Sequence, residues 1–186
     1  MLLCAFLAVD MVGALGYVCS DFGSVGDINI TRRHFENIDS THTYSRSNLL
    51  VSRDSPNEWV LVTATKQTAG VGTHSRKWVS DVAGNIYANL TFHIANRAEE
   101  GFSVLSEEKI AALAVYDAVK FVLIEKDVAI KWPNDVIVGG KKISGIIAGT
   151  GNPHSEQMTI GIGVNINLPL EKLNRSASHF FERGSW

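Results

Sequence analysis

Cysteine is scarce in this chain, and the positions of its cysteines exclude two common kinds of small domain. Among 186 residues only Cys4 and Cys19 are cysteines, both within the first twenty positions, with no CxxC pair and no cysteine–histidine cluster. A disulfide framework or a structural zinc site needs more such residues at characteristic spacings. We therefore expect a domain that is stabilised by a hydrophobic core.

An excess of charge of either sign is also missing. Seventeen lysines and arginines against nineteen aspartates and glutamates give a formal net charge of -2, which provides no broad attraction for DNA, RNA or anionic lipid. With 45% hydrophobic and 19% charged residues, the composition is typical of a single globular domain. We expect a cytoplasmic protein that binds neither nucleic acid nor membrane.

The two common glycine motifs of nucleotide-binding proteins are absent as well. No GxxxxGK[ST] sequence occurs, so any ATP chemistry here is not of the P-loop kind. Gly70, Val71 and Gly72 form a GxG element without the third glycine and the following helix of a dinucleotide fingerprint. A nicotinamide cofactor is therefore not expected.

Residues 1–30 form an apolar extension whose role the sequence leaves open. Residues 2–18 are nearly all apolar, but they lack a basic start, and Asp10, Gly13 and Gly16 interrupt them. These features argue against a signal peptide and against a membrane span. We interpret the run as a buried strand or helix that precedes a domain at residues 31–186.

Short β-rich runs and one long amphipathic helix make up the rest of the chain. Ser106, followed by Glu107 and Glu108, is a typical helix start, and the helix is predicted over residues 106–125. Strands are predicted at residues 59–65, 85–94, 128–132, 136–138, 143–148 and 158–166. Residues 21–27 are interpreted as a loop, residues 28–38 show no clear period, and turns are predicted at 139–140 and 149–153.

This order of elements predicts an α+β fold with a mixed or antiparallel sheet, because strands in hairpins flank a long helix without regular β-α-β alternation. The glycine-rich segment at residues 65–84 lies between two predicted strands. It must therefore leave the sheet as a long loop, and long loops in compact domains are usually functional.

Five patches carry residues that could take part in chemistry, and each has an ordinary explanation when taken alone. They lie at residues 40–41, at 67 with 70–78, at 131–135, at 141–145 and at 161–167. In the same order, the ordinary explanations are a helix cap, a loop with special backbone angles, a strand end with a turn, an edge-strand lysine and close backbone packing.

Together, the order and spacing of these patches resemble one family. The family is that of the biotin protein ligases, whose fold is related to class II aminoacyl-tRNA synthetases. Four segments resemble its motifs, in this order along the chain: KQTAGVGTHSRKW, KWPND, KKISG and IGIGVNIN. The resemblance extends over about residues 35–181. Its specific part is KWPND followed closely by lysine, an apolar residue, a small residue and glycine. Lipoate ligases share the fold but differ in these motifs.

The resemblance implies a biotin site and an adjoining nucleotide site. Ser40 and Thr41 correspond to hydroxyls that bind the ureido ring of biotin, and His42 stands where asparagine is usual. The implied biotin-binding residues are Ser40, Thr41, His42, Gln67, Gly70, Val71, Gly72, Thr73, Lys142, Gly145, Gly161 and Gly163. The implied ATP- and adenylate-binding residues are Arg76, Trp78, Lys131, Asn134, Asp135, Lys142 and Asn165.

The implied reaction consumes ATP and proceeds through biotinyl-5'-AMP to a lysine on the biotin carboxyl carrier domain of a carboxylase. In the first step a carboxylate attacks a phosphate, so a cation must lie where the two negative charges meet. Lys142 is the candidate catalytic residue, with Mg²⁺ neutralising the departing pyrophosphate; the sequence identifies no metal ligands. Because neighbouring side chains on a strand face opposite ways, only one of Lys141 and Lys142 can reach the site.

Two departures from the family pattern leave other interpretations open. The family loop usually reads GRGRxGR, whereas Val71 and Thr73 occupy the positions of two of its arginines here. An acyl-adenylate enzyme for lipoate or octanoate, or a non-catalytic biotin or adenylate binder, is therefore an alternative. Asn134, Lys142 and Asn165 favour catalysis, because a pure biotin binder needs no groups that face a phosphate.

The ends of the sequence predict a catalytic domain alone. The residues beyond Gly163 are too few for the helical tail and small C-terminal domain of the family. No N-terminal helix-turn-helix pattern precedes the domain, so a repressor function is not expected.

Overall fold

A computed structural model describes residues 24–25, 27–94, 104–150, 156–169 and 171–172 of the chain. These residues form an eight-stranded mixed sheet and two α-helices. The strands are β1 (Ser24–Val25), β2 (Ile28–Ile38), β3 (Glu58–Gln67), β4 (Ile86–His93), β5 (Val128–Lys131), β6 (Asp135–Val138), β7 (Lys141–Thr150) and β8 (Gln157–Val164). The helices are α1 (Thr41–Asn48) and α2 (Val104–Val122), and Thr73–Ser75 form a 3₁₀ turn.

The sheet has the order β1-β2-β3-β4-β8-β7-β6-β5. Only β2 and β3 pair in parallel, and α1 connects them; all other neighbours are antiparallel. The predicted α+β fold with a mixed sheet is confirmed. From β3 through β4 and β8 to β7, each strand is antiparallel to the one before it, so β7 runs opposite to β3. The end of β3 and the start of β7 therefore lie at the same end of the sheet.

Strand β4 shows how the centre of the sheet is buried on both faces. The apolar side chains of Ile86, Leu90 and Phe92 belong to the hydrophobic core, as the alternation in the sequence predicts. The intervening polar side chains, including Asn89 and Thr91, are also fully buried, because α1 packs against β4 and β8. Polar groups that are buried in this way need hydrogen-bond partners, and the candidate site supplies them.

Helix α2 begins and ends earlier than the sequence predicts. It starts at Val104, so Ser106 lies within the first turn and is not the N-cap, and it ends at Val122 instead of residue 125. Small side chains at Ala111, Ala112 and Ala118 are almost fully buried and allow the helix to approach β5–β8 closely.

Strand β2 had no clear period in the sequence, yet it is the longest strand of those described. Its side chains are mostly exposed, since on its outer side β1 pairs with it through Ile28 and Asn29 only. An exposed edge position imposes no alternation of apolar residues, and the backbone pairing with β3 defines the strand instead. The predicted loop at 21–27 was also partly wrong, because Ser24–Val25 is a strand.

Two predictions lie outside the described residues. They are the buried element at residues 2–18 and most of the turn at 149–153, where β7 continues to Thr150. Within the part of the chain that the structure describes, no helix is long and apolar enough to cross a membrane.

Candidate functional site: a groove between the loop and the sheet

A groove with a cavity of about 40 Å³ lies where the start of α1, the end of β3, the loop at 70–78 and strands β6–β8 meet. Most of the residues that the resemblance implied are brought together here. Those that line the groove are Ser40, Thr41, His42, Gln67, Val71, Gly72, Thr73, Trp78, Asn134, Asp135, Lys142, Gly145, Gly161 and Gly163.

The start of α1 supplies neutral polar groups. Ser40 is the N-cap, and its hydroxyl accepts from the backbone N–H of Thr43 at 3.3 Å. The backbone N–H and the hydroxyl of Thr41 both donate to Oε1 of Gln67, at 2.7 and 3.1 Å. Ser40 therefore both caps the helix and lines the groove, and Gln67, whose oxygen is occupied, retains its amide N–H groups as donors.

His42 continues this neutral end of the groove. Its side chain is buried, and Nδ2 of Asn89 lies 3.0 Å from its Nδ1. Burial, followed by the nearby charge of Arg46, lowers the pKa of His42 to about 4. The imidazole is therefore uncharged at neutral pH.

Lys142 provides a cation in the groove. Its Nζ lies 2.6 Å from Oδ1 of Asp135, whose side chain is buried, and 5.5 Å from the centroid of the Trp78 ring. Burial lowers the pKa of Lys142, and the Asp135 carboxylate opposes this effect. A cation held against a buried carboxylate in this way can receive a second anionic group with little loss of positional freedom.

A β-bulge brings Lys142 to the groove side of β7. The pairing of β7 with β6 shifts register between Val136 and Ile137, so that Val136 pairs with Ser144 and Ile137 with Lys142. The extra residue, Ile143, reverses the alternation of side chains along the strand. A Cβ on Gly145 would consequently lie 3.1 Å from Nζ of Lys142, although Gly145 is three positions further along the strand and regular alternation would place the two residues on opposite faces.

Asn134 connects the turn after β5 to β7 and α2. Its Nδ2 donates to the carbonyl of Ile146 at 3.0 Å and to a carboxylate oxygen of Glu108 at 3.3 Å. The backbone carbonyl of Asn134 accepts from the N–H of Ile146 at 2.9 Å. Burial raises the pKa of Glu108. These bonds hold the segment that carries Asp135.

Trp78 lies directly on the glycines that form the floor of the groove. A Cβ on Gly163 would lie 2.5 Å from Cε2 of Trp78, and one on Gly145 would lie 3.0 Å from its Cζ3. The indole N–H of Trp78 is buried without a hydrogen-bond partner among the described residues. An unpaired buried donor lowers the stability of a protein by roughly 1–3 kcal/mol. A ligand acceptor that bonds to the indole N–H would therefore gain binding free energy.

Four implied site residues do not line the groove. Gly70 lies against Ser80 and the carbonyl of Trp78, where no side chain would fit. Arg76 is exposed, and its guanidinium donates to the carbonyl and hydroxyl of Thr73 at 3.2 and 3.0 Å. Lys131 is exposed at the end of β5. Asn165 donates its backbone N–H to the carbonyl of Ile143 at 2.7 Å.

Sequence reasoning missed the groups that support the groove from below, of which Asn89 and Glu108 are the clearest. The polar positions of β4 contained a signal, because a polar residue in a strand between buried neighbours needs a partner. Its partner could not be read from the sequence, since His42 lies 47 residues away.

The described residues contain no group of three or more histidine, cysteine or acidic side chains that could hold a metal ion. Magnesium is commonly held by one or two carboxylates together with substrate phosphates, and the Asp135 carboxylate lies in the groove. The expected Mg²⁺ therefore stays a prediction that depends on a bound nucleotide.

Comparisons with known proteins agree with the geometry. Residues 34–167 match the model of the Biotin/lipoate A/B protein ligase family. A biotin–[acetyl-CoA-carboxylase] ligase from Paracoccus denitrificans is 39% identical over 113 residues, 58% of this chain and 44% of that protein. One from Mycobacterium tuberculosis is 29% identical over 127 residues, 67% of this chain and 46% of that protein. The chain thus spans about half the length of these curated relatives.

Solved structures give the same result. The biotin protein ligase from Aquifex aeolicus in complex with biotin and ATP has a TM-score of 0.60 and 26% identity, covering 75% of this chain and 55% of that one. The Leishmania major enzyme in complex with biotinyl-5-AMP has a TM-score of 0.58 and 29% identity, covering 80% and 65%. The implied ligase-type fold is confirmed, and since the matching family model spans well over half of the chain, the protein belongs to the biotin/lipoate A/B protein ligase family.

Proposed function

We propose that this protein is an ATP-dependent biotin protein ligase, which forms biotinyl-5'-AMP and transfers biotin to a lysine of a biotin carboxyl carrier domain. One observation carries the proposal: a single groove offers neutral hydrogen-bonding side chains at one end and, at the other, the half-buried cation of Lys142. This distribution matches a ligand with an uncharged polar head and an anionic tail.

The distance between the two ends is consistent with an extended ligand. Gln67 ends β3 and Lys142 lies near the start of β7, with β4 and β8 between them. Three strand spacings of about 4.8 Å each separate these ends by on the order of 14 Å. Between them, Gly161 and Gly163 leave the floor without side chains, so that a ligand can lie against the backbone.

The chemistry assigned to the cationic end needs no general base in the first step. A carboxylate is ionised at neutral pH; its oxygen attacks the α-phosphorus of ATP, and the bond from phosphorus to pyrophosphate breaks. Lys142 is placed to balance the negative charge that accumulates during this step. In the second step the amine of the acceptor lysine attacks the acyl carbon, and AMP leaves.

Trp78 and the loop at 70–78 have a protective role in this proposal. A mixed anhydride hydrolyses when water reaches it, so the groove must be covered between the two steps. The cavity is only about 40 Å³ while Trp78 lies on Gly163. Binding therefore requires that the indole moves, after which the loop can cover the ligand.

The acceptor and the location of the reaction are part of the same proposal. The relatives from Paracoccus denitrificans and Mycobacterium tuberculosis are named as ligases that act on acetyl-CoA carboxylase. We assign the same class of acceptor to this chain. The substrates of the proposed reaction are ATP and biotin, and its metal cofactor is Mg²⁺. A cytoplasmic location agrees with the requirement for ATP.

Exchange between ATP and labelled pyrophosphate tests the proposal, with biotin, lipoate and octanoate offered separately. Exchange that depends on biotin is expected. Exchange with lipoate or octanoate and none with biotin would assign the groove to the other branch of the family. No exchange with any acid, together with measurable biotin binding, would support a non-catalytic binder.

A further inference from the structure

We propose that the outer face of helix α2 is a docking surface for a second copy of this chain, whose own α2 packs against it in antiparallel orientation. The inference goes beyond the proposed reaction and does not depend on it, because the residues involved do not line the groove. We call this surface the outer stripe; its members are Ile110, Leu113, Asp117, Lys120, Phe121 and Ile124.

The outer stripe is largely apolar where a helix on the surface of a domain is normally polar. Its four large apolar side chains are each more than half exposed, namely Ile110 (58%), Leu113 (53%), Phe121 (75%) and Ile124 (78%). The opposite side of α2 is fully buried in the hydrophobic core through Ala112, Val115 and Val119. A helix that is apolar on both sides is normally covered on both sides, so the outer stripe has the composition of a surface that a partner covers.

The spacing of the outer stripe is suited to another helix. Its members at positions 110, 113, 117, 120 and 124 follow one another in alternating steps of three and four residues, and all of them are exposed. This is the spacing of the seam along which two helices pack in a coiled coil. Phe121 lies beside the seam and widens its apolar area. We therefore infer that the partner presents a helix.

The two charged residues at the centre of the seam determine the partner and its orientation. Asp117 and Lys120 occupy consecutive seam positions. In a parallel pair of α2 helices each of them would face its own copy, and like charges would repel. In an antiparallel pair, Asp117 faces the partner's Lys120, and two-fold symmetry forms this ion pair twice. Polar residues within a seam fix its register, so the outer stripe is complementary to itself.

The same register brings the apolar side chains together. With the two-fold axis between positions 117 and 120, Leu113 lies opposite the partner's Ile124, and Ile110 lies one layer further along. Symmetry repeats this apolar contact at the other end of the helix pair. The charged central layers are thus enclosed by an apolar cluster on each side.

A dimer of this kind leaves the groove accessible. Helix α2 shares the hydrophobic core with Leu90 of β4, whereas the next residue, Asn89, contacts His42 of the groove on the other face of the strand. The outer stripe and the groove therefore lie on opposite faces of the sheet. Pairing through α2 would direct both grooves outward, towards the acceptor.

The size of the surface predicts a weak dimer. A seam of about 15 residues extends over roughly 22 Å of helix, and one helix pair buries less than the ~1,200 Å² above which stable complexes are found. We therefore expect a reversible dimer with a dissociation constant in the micromolar range.

Sedimentation equilibrium at protein concentrations from about 1 to 500 μM tests the proposal. The mass of the wild type is expected to rise towards twice that of the chain, and Leu113→Lys is expected to abolish this rise. Leu50→Lys is the matched control, because Leu50 is 98% exposed outside α2 and the groove, and it should dimerise like the wild type. A wild type that stays monomeric, or a dimer that persists in Leu113→Lys, overturns the proposal.

A charge exchange at the centre of the seam tests the register. Asp117→Lys and Lys120→Asp each place like charges opposite one another and should weaken the dimer at least about ten-fold. An equimolar mixture of the two variants pairs opposite charges again and should restore dimerisation as a heterodimer. Far-UV circular dichroism shows that each variant is folded, without reference to the ligase reaction. A mixture of folded variants that stays monomeric overturns the antiparallel pairing.

Discussion

Nζ of Lys142 lies 2.6 Å from Oδ1 of Asp135, and a β-bulge one residue further along β7 turns this lysine towards the groove. The adjacent Lys141 is exposed. The two lysines are thus neighbours in sequence with the same side chain, but only one of them shares the groove with the glycines of β7 and β8.

Replacement of Lys142 should lower the rate of the reaction, whereas replacement of Lys141 should not. Lys142→Ala should lower the rate of biotin-dependent pyrophosphate exchange by roughly 10² to 10³, by analogy with the loss of a single group that stabilises the transition state. Lys141→Ala is the matched control and should keep the wild-type rate. Comparable losses in the two variants would show that Lys142 does not contact the reacting groups.

Gly163→Ala tests the packing of Trp78 on the groove floor. Its new Cβ would lie 2.5 Å from the indole, so we expect the free energy of unfolding to fall by about 1–3 kcal/mol, as for other overpacked sites. The effect should shrink when Trp78→Leu is added, because the clashing ring is then gone. Gly149→Ala, where nothing lies within 4 Å of the new Cβ, is the control for urea unfolding.

Stability should depend on pH through His42. Its pKa is lowered to about 4 in the folded protein, against about 6.5 when unfolded, so between these values the unfolded state binds more protons. The free energy of unfolding should therefore decrease as the pH falls from about 6.5 to 4, by on the order of 3 kcal/mol in total. His42→Gln should remove this part of the dependence, and identical slopes in both proteins would contradict a buried neutral histidine.

The absence of arginines at positions 71 and 73 of the loop predicts that the site releases biotinyl-adenylate quickly. Val71 and Thr73 line the groove where the family usually has arginines, while Arg76 is exposed and bonded to Thr73. A charge-assisted contact is worth about 1.5–3 kcal/mol, so the Val71→Arg/Thr73→Arg variant should release biotinyl-adenylate roughly ten-fold to over a hundred-fold more slowly.

Single-turnover release of labelled adenylate measures this difference. A Ser52→Arg/Asn57→Arg variant, which adds the same two positive charges in an exposed segment outside the groove, is the control. If both double variants release the intermediate at the wild-type rate, the loop closes by contacts other than arginines. A fast wild-type rate predicts labelling of lysines on nearby proteins.

The sequence by itself determined the central strands, the diglycine turn at 139–140 and the set of motifs that meet in the groove. An alternation of period two places β4 and β8 in a sheet wherever they lie in the fold, and positive φ angles at Gly139 and Gly140 are a local requirement of the turn. The motif residues were recognisable because their types and spacing are specific.

Only the tertiary structure decided which side chains share the groove and in what chemical state. Simple alternation along β7 would place Lys142 and Gly145 on opposite faces, and the bulge that reverses this depends on pairing with β6. The buried hydrogen-bond partner of the His42 ring is Asn89, 47 residues away, and β2 is a strand because β3 pairs with it. Such long-range contacts leave no periodic trace in the sequence, since they join residues that only folding brings together.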